Sequence, residues 1–283
     1  MPGGMHARSF VITGASTGIG RSAALHLDRL GHRIIAGVRN PDDGDALRAS
    51  ASERLTPVVL DVTDAEDIAQ AVQAVDDALG GGPLDGLVNN AGISLGGPLE
   101  FLDINRLRLQ LEVNVVGLVA VTQALLPLLR RGPGRIVNIG SIGGRVTSPF
   151  MGPYCASKYA VEALSDALRM ELGPWGIHVS VVEPGPVHSP IWEKGRDQYR
   201  AFAAAMPARA RELYGPYLAR TEEAIAERVR IAVPTTATDS VIEHALLAPR
   251  PRTRYLVGTA AKLAVAMRWI LPDRLLDRAV ASR

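Results

Sequence analysis

The chain has 283 residues, with 31 Lys+Arg against 29 Asp+Glu and a formal net charge of +2. Charge this balanced, spread along the chain rather than gathered in blocks, leaves no footprint for nucleic acid. A lone cysteine, Cys155, excludes a disulfide framework or a cysteine-based metal site and fits a reducing compartment.

The N-terminus carries no apolar core of signal-peptide length, so a cytoplasmic protein is expected. Short β-branched runs then alternate with helical patterns: Ser9–Thr13, Arg33–Val38, Thr56–Asp61, Leu84–Asn90, Arg135–Gly140 and Ile177–Val182, with a seventh at Arg254–Gly258. Runs that are apolar on both faces suit a buried parallel sheet, and the spacers supply crossover helices. The expectation is a single α/β domain over 1–283, a Rossmann-type doubly wound parallel sheet of about seven strands with helices on both faces. The longest apolar stretch, Val115–Leu129, is interrupted by Thr122, Gln123 and Pro127. It falls short of the roughly 18 residues a spanning helix needs, so it is read as a buried helix, with no integral membrane segment expected.

Residues 186–234 break the alternation and read as a substrate-binding lid, and 259–283 as a helical tail packed on the body or on another subunit, with attachment to a membrane surface as the lesser alternative. The lid holds Ile191, Trp192, Tyr199, Phe202, Met206, Leu213, Tyr214, Tyr217 and Leu218, in a chain that is only 5% aromatic. Such a concentration lines an apolar pocket, the usual design of a small-molecule site, or packs the lid onto the body.

The first run leads into "GASTGIG", which places Gly14, Gly18 and Gly20 between a strand and a helix, with Ser16, Thr17 and Ile19 among them. Glycines there let the backbone turn tightly and approach a pyrophosphate, whose charge sits at the positive end of the helix. The second strand ends "AGVRN". An acidic residue at its end would hold the ribose 2′-hydroxyl of NAD; Arg39 instead suits the 2′-phosphate of NADP. NADP(H) is therefore the expected cofactor, with NAD(H) still admissible. Asp61 and Val62 fall at the end of the third strand, where the adenine would lie.

Further along come "NNAG" at Asn89–Gly92, Asn114 in "EVNVVG", Ser141, "YCASK" at Tyr154–Lys158 and "EPGPVHS" at Glu183–Ser189. With "TGASTGIG", these motifs, in this order and over nearly the whole chain, resemble the short-chain dehydrogenase/reductase family, in its shorter-chained branch. The resemblance implies a cofactor site of the loop residues, Asn90, Ala91, Gly92, Tyr154, Lys158, Pro184, Gly185, Val187 and Ser189. It also implies a catalytic set of Asn114, Ser141, Tyr154 and Lys158, in which Asn114 holds a water linking Lys158 to solvent. Ser189 stands where the family turn usually has threonine, and keeps the hydroxyl. His188 beside it receives no role, and the histidines show no metal-ligand spacing.

Hydride transfer to a ketone leaves an alkoxide that must be protonated as it forms. Tyr154 would be that acid, and Lys158, four residues on and on the same helix face, the cation that lowers its pKa. Ser141 would donate to the substrate oxygen. Cys155, off that face, is read as a packing residue. The expected activity is NADP(H)-dependent interconversion of a ketone and a secondary alcohol on a bulky, apolar, steroid-, terpenoid- or polyketide-like substrate, in a homodimer or homotetramer. The alternative is an NADP(H)-sensing binding protein of the same fold without turnover.

Overall fold

The structure is a computed structural model that describes residues 7–189, 204 and 206–281. Its strands are β1 (Ser9–Ile12), β2 (Arg33–Val38), β3 (Leu55–Val59), β4 (Gly86–Asn89), β5 (Arg135–Ile139), β6 (His178–Pro184) and β7 (Arg254–Val257). They form one parallel sheet in the order β3-β2-β1-β4-β5-β6-β7. The order reverses between β1 and β4, where Ile12 pairs with Ala36 on one side and Val88 on the other. The connections out of these strands diverge there and leave a crevice at the carboxyl edge of the sheet.

The helices are α1 (Gly18–Arg29), α2 (Pro41–Arg48), α3 (Ala65–Leu79), α4 (Ile104–Leu111), α5 (Gly117–Leu129), α6 (Gly152–Leu172), α7 (Ala208–Arg230), α8 (Thr236–Leu247), α9 (Thr259–Ile270) and α10 (Asp273–Ala281). Side chains alternate across a strand, so β1 feeds two cores. Phe10 and Ile12 join Val88, Val137 and Ile139 under α1 and α8. Val11 joins Leu87 and Ile136 under α3 and α5 on the opposite face. Local signals set the ends: Asp64 caps α3 by accepting from the amides of Glu66 and Asp67, and Gly80, at φ 56°, ends it in the left-handed conformation.

The seven strands fall where the hydrophobic runs place them. An offset that matters is at β3, an edge strand with Val59 44% exposed. It stops there, so Asp61 lies in the turn beyond it. A buried polar chain stitches the centre: Asn89 Nδ2 donates to Thr122 Oγ1 (2.8 Å) and Asn138 Oδ1 (2.9 Å), and Asn138 Nδ2 to Ser165 Oγ (2.8 Å).

The apolar run belongs to a longer helix. The apolar helix continues N-terminally through a π turn at Glu112–Val116 into α4, giving 26 residues at Ile104–Leu129 with a mean hydropathy of 1.7 in its most apolar window. By length and composition it could cross a membrane, whereas the run Val115–Leu129 alone could not. Its inner face, with Val121, Leu125, Leu128 and Leu129 buried, packs on the sheet, while Ile104, Leu109 and Val116 are exposed.

The tail forms α9 and α10, anchored by buried Ala261 and Leu276, with Trp269 80% exposed. Of the lid, Ile191, Trp192, Tyr199 and Phe202 lie outside the described residues, as does the side chain of Leu218. α7 follows, with Pro216 inside it.

Candidate active site

The turn after β1 is built to receive an anion. Gly14 and Gly18 adopt φ 63° and 58°, a region L-residues rarely occupy. Thr17 precedes α1 without a side-chain capping bond, and the first turn holds no acidic residue. The first amides of the helix and its positive end therefore stay available for phosphate, and Ser16, Thr17 and Ile19 surround that end.

Asn90 holds the loop in place. Its Nδ2 donates to the carbonyls of Thr13 and Gly14, both at 3.0 Å, while Thr13 Oγ1 accepts from the amides of Asn90 (3.0 Å) and Ala91 (2.9 Å). Asn90 thus supports the loop as a brace. Thr13→Val would strand two backbone N–H groups, each costing about 1–3 kcal/mol. The expected result is a lower urea midpoint at unchanged slope.

At the carboxyl edge of β5, Ser141 is 9% exposed and accepts from the amide of Gly143 at 3.0 Å. It also hydrogen-bonds Tyr154, near the start of α6. Lys158, one turn on and 7% exposed, donates to the carbonyl of Ile139 at 2.7 Å. The structure therefore brings Ser141, Tyr154 and Lys158 together. Burial pushes the Lys158 ammonium down to about 8, opposed by the charge of Glu162.

The expected effect of Lys158 on the tyrosine is corrected. Burial pushes the Tyr154 phenol up, and the bond with Ser141 opposes it. The ammonium is drawn to Ile139 and stands 5.9 Å from the centre of the tyrosine ring, so burial outweighs it. A phenol held in this way keeps its proton at neutral pH, which suits an acid.

Asn114, in the π turn, has its side chain engaged at both ends. Both amide donors are used, on the carbonyl of Ile93 and on Ser157 Oγ (each 3.0 Å), and Oδ1 accepts from the amide of Ile93 at 2.8 Å. Ser157 Oγ in turn donates to the carbonyl of Tyr154 at 2.7 Å. The amide ties the two long helices together beside the tyrosine.

The remaining cofactor candidates line the same edge. Arg39 is exposed directly after β2, and among the described residues no carboxylate pairs with it. Asp61 accepts from the amide and hydroxyl of Thr63 (2.9 and 2.7 Å), and Val62 is buried. Val62 packs on Gly117, where an added Cβ would lie 2.7 Å from its Cγ2, so Val62 has only its backbone to offer. Gly92 lies beside Asn114. Pro184 ends β6, Gly185 packs on Ala261, and Val187 is buried in a bridge to Val233. Ser189 closes on the phosphate loop: a Cβ on Gly18 would be 3.2 Å from its own.

The short chain dehydrogenase family matches residues 8–200 of this sequence. The chain belongs to that family. As a short-chain dehydrogenase it is 39% identical over 272 residues to retinol dehydrogenase 5 of Mus musculus, covering 94% of this chain and 85% of the relative. It is 34% identical over 276 residues to the NADPH-dependent 3-dehydrocapnine reductase of Ornithobacterium rhinotracheale, covering 96% and 95%. A Burkholderia phymatum short chain dehydrogenase/reductase solved in complex with NAD superposes with a TM-score of 0.78 at 26% identity, covering 93% of each chain.

In this short-chain dehydrogenase the described part of segment 186–234 rests on residues that the sequence reading passed over. Tyr214 of α7 meets Phe101 and Phe150 edge-on, with ring centres 6.0 and 6.1 Å apart, and its hydroxyl donates to Glu100 at 2.8 Å. Met206 is buried, whereas Leu213 and Tyr217 are exposed. Among the described residues of that segment, then, Met206 and Tyr214 pack it to the body. Phe150, at φ 63°, is the signal that structure alone reveals. Cys155 is buried, as its packing reading requires.

Proposed function

We propose that the protein is an NADP(H)-dependent oxidoreductase that interconverts a ketone and a secondary alcohol on a bulky, apolar substrate. The observation that carries this is the hydrogen-bonded Ser141–Tyr154 pair, with buried Lys158 one turn away, at the crevice edge of the sheet. The glycine turn and the uncapped start of α1 fit a dinucleotide's phosphates. Lys158 fits its ribose, because an ammonium has three donors and Ile139 takes one. Arg39 would hold the 2′-phosphate. When bound, the nicotinamide supplies or accepts the hydride.

The chain's own residues manage the proton and the oxygen. The Tyr154 phenol, protonated at neutral pH, donates to the carbonyl oxygen as negative charge develops there. Ser141 supplies the second hydrogen bond to that oxygen, and its bond to Tyr154 fixes where the two donors converge. In the oxidative direction Tyr154 must first lose its proton, and a charged Lys158 favours that phenolate.

Phe101, Phe150 and Tyr214 are engaged in packing α7 to the body, so the choice of an apolar substrate rests on the relatives. The substrates named for them, retinol and 3-dehydrocapnine, point that way. Turnover confined to small polar carbonyls would sink this choice of substrate. The cofactor is tested by fluorescence titration with NADPH and NADH. The parent protein is expected to prefer NADPH at least about tenfold, and Arg39→Ala to lose that preference, about 1.4 kcal/mol. Equal binding of both by the parent overturns it.

A further inference from the structure

Lys158 has a carboxyl pair behind it that the reaction as described does not use. Glu162 follows it by one turn on the same face of α6, and the two are 8% and 7% exposed. Glu183, 1% exposed, stands opposite on β6, at the point where the strand feeds the Pro184–Ser189 loop.

Charged groups face this pair from every side. Arg145, from the turn that Ser141 opens, donates through Nε to Glu183 Oε1 at 2.5 Å, and its Nη2 lies 3.6 Å from Glu162 Oε2. Arg254 of β7 donates through Nε to Glu162 Oε2 at 2.9 Å and through Nη2 to Asp166 Oδ2 at 2.6 Å. Lys158 and Asp166 complete the surroundings from α6 itself.

One atom in this cluster is unaccounted for. Glu162 Oε1 is buried and, among the described residues, receives no hydrogen bond, while Glu183 is its side chain's hydrogen-bonding neighbour. Two carboxylates in contact cannot both ionise cheaply. A proton on Glu162 converts that oxygen from an orphaned acceptor into a donor to Glu183. Burial first, and Glu183 next, push Glu162 up to about 7, against Arg254 and Arg145.

We propose that Glu162 and Glu183 share one proton and are positioning residues for Lys158, the location of that proton setting how much negative charge stands one turn behind its ammonium. This rests on the reading of Lys158 as part of the reaction. Neither carboxyl touches the reacting atoms. Through Arg145 the pair also joins the segments carrying Ser141, Tyr154 and the Pro184–Ser189 loop, so charge and geometry are set together.

The test needs neither substrate nor cofactor, because the chain has only three lysines, Lys158, Lys194 and Lys262. The full-length protein is labelled at the lysine Cε carbon, the signals are assigned with Lys194→Arg and Lys262→Arg, and Lys158 is titrated by NMR. In the parent it titrates at about 8. Glu162→Gln removes the nearby negative charge and lowers that value by about one unit. Glu162 ionises at about 7, before Lys158 loses its proton, and so leaves a step near neutral pH on the Lys158 signal; Glu162→Gln abolishes that step, and Glu183→Gln, by removing the like charge facing Glu162, moves it to lower pH.

Loss of the step in Glu162→Gln and its move to lower pH in Glu183→Gln support the proposal. Mere loosening of the core would admit water and raise Lys158 in both variants. A parent signal without the step, a step that either variant leaves in place, or a raised Lys158 in both overturns it. Should Glu162→Gln fail to fold, a step moved to lower pH in Glu183→Gln with unchanged amide protection of α6 supports the pairing, and any other result overturns it. Failure of the oxidoreductase reading would show separately, in cofactor binding.

Discussion

Tyr154→Phe lowers kcat for ketone reduction by about a hundredfold to ten-thousandfold, the range that a positioned general acid supplies, and leaves NADPH binding within about twofold. The substitution removes one oxygen and keeps the ring, whose Cε1 lies against Gly143, where an added Cβ would be 3.2 Å away. Ser141 keeps its bond from the Gly143 amide, so the turn at the end of β5 has no reason to move. The helix start is held independently, by Ser157 on the Tyr154 carbonyl and by Asn114 on Ser157. The loss therefore falls on kcat. Residual activity above about a tenth of the parent's would remove Tyr154 from the chemistry. Unchanged cofactor binding with no turnover in the parent itself would favour a cofactor-sensing protein.

The sheet was legible because its strands are buried on both faces. Phe10, Val11 and Ile12 must all be apolar, so a short continuous run marks the strand without alternation. The same rule blurs β3, whose edge position lets Val59 face solvent and moves the strand end away from Asp61. The site was legible where a motif fixes geometry along a single helix: four residues carry Lys158 from Tyr154 to one face.

Spacing could not give the sign of the tyrosine shift. That depends on how deeply the phenol is buried and on the ammonium turning to the Ile139 carbonyl, a contact between α6 and β5. Nor could it find Arg145, Glu162, Glu183 and Arg254, which converge from a turn, a helix and two strands. A faint signal was present in Glu162 itself, a charged residue placed four after Lys158 on a stripe that must face inward. The segment 186–234 resisted for a different reason: among the described side chains of α7 Ala210 is the one that is buried, so these positions carry little of the periodicity that a packed helix shows.

Gly20→Val is expected to lower NADPH affinity more than about a hundredfold, about 2.8 kcal/mol, because the phosphate turn has no room for a side chain there. A Cβ on Gly20 would collide with Asn90 Nδ2 and lie 2.5 Å from the Gly14 carbonyl oxygen. Those are the two ends of the hydrogen bond that holds the turn. The clash cannot be relieved by a flexible tip, since one partner is backbone and the other also donates to the carbonyl of Thr13. Either α1 shifts away from the turn or Asn90 is expelled and the turn opens, and both misplace the amides that would face the phosphates. Gly173→Ala is the control: a Cβ there meets nothing within 4 Å, so affinity stays at the parent's value. Fluorescence titration reads both variants. NADPH affinity within threefold of the parent in Gly20→Val would mean that the dinucleotide does not sit over this turn.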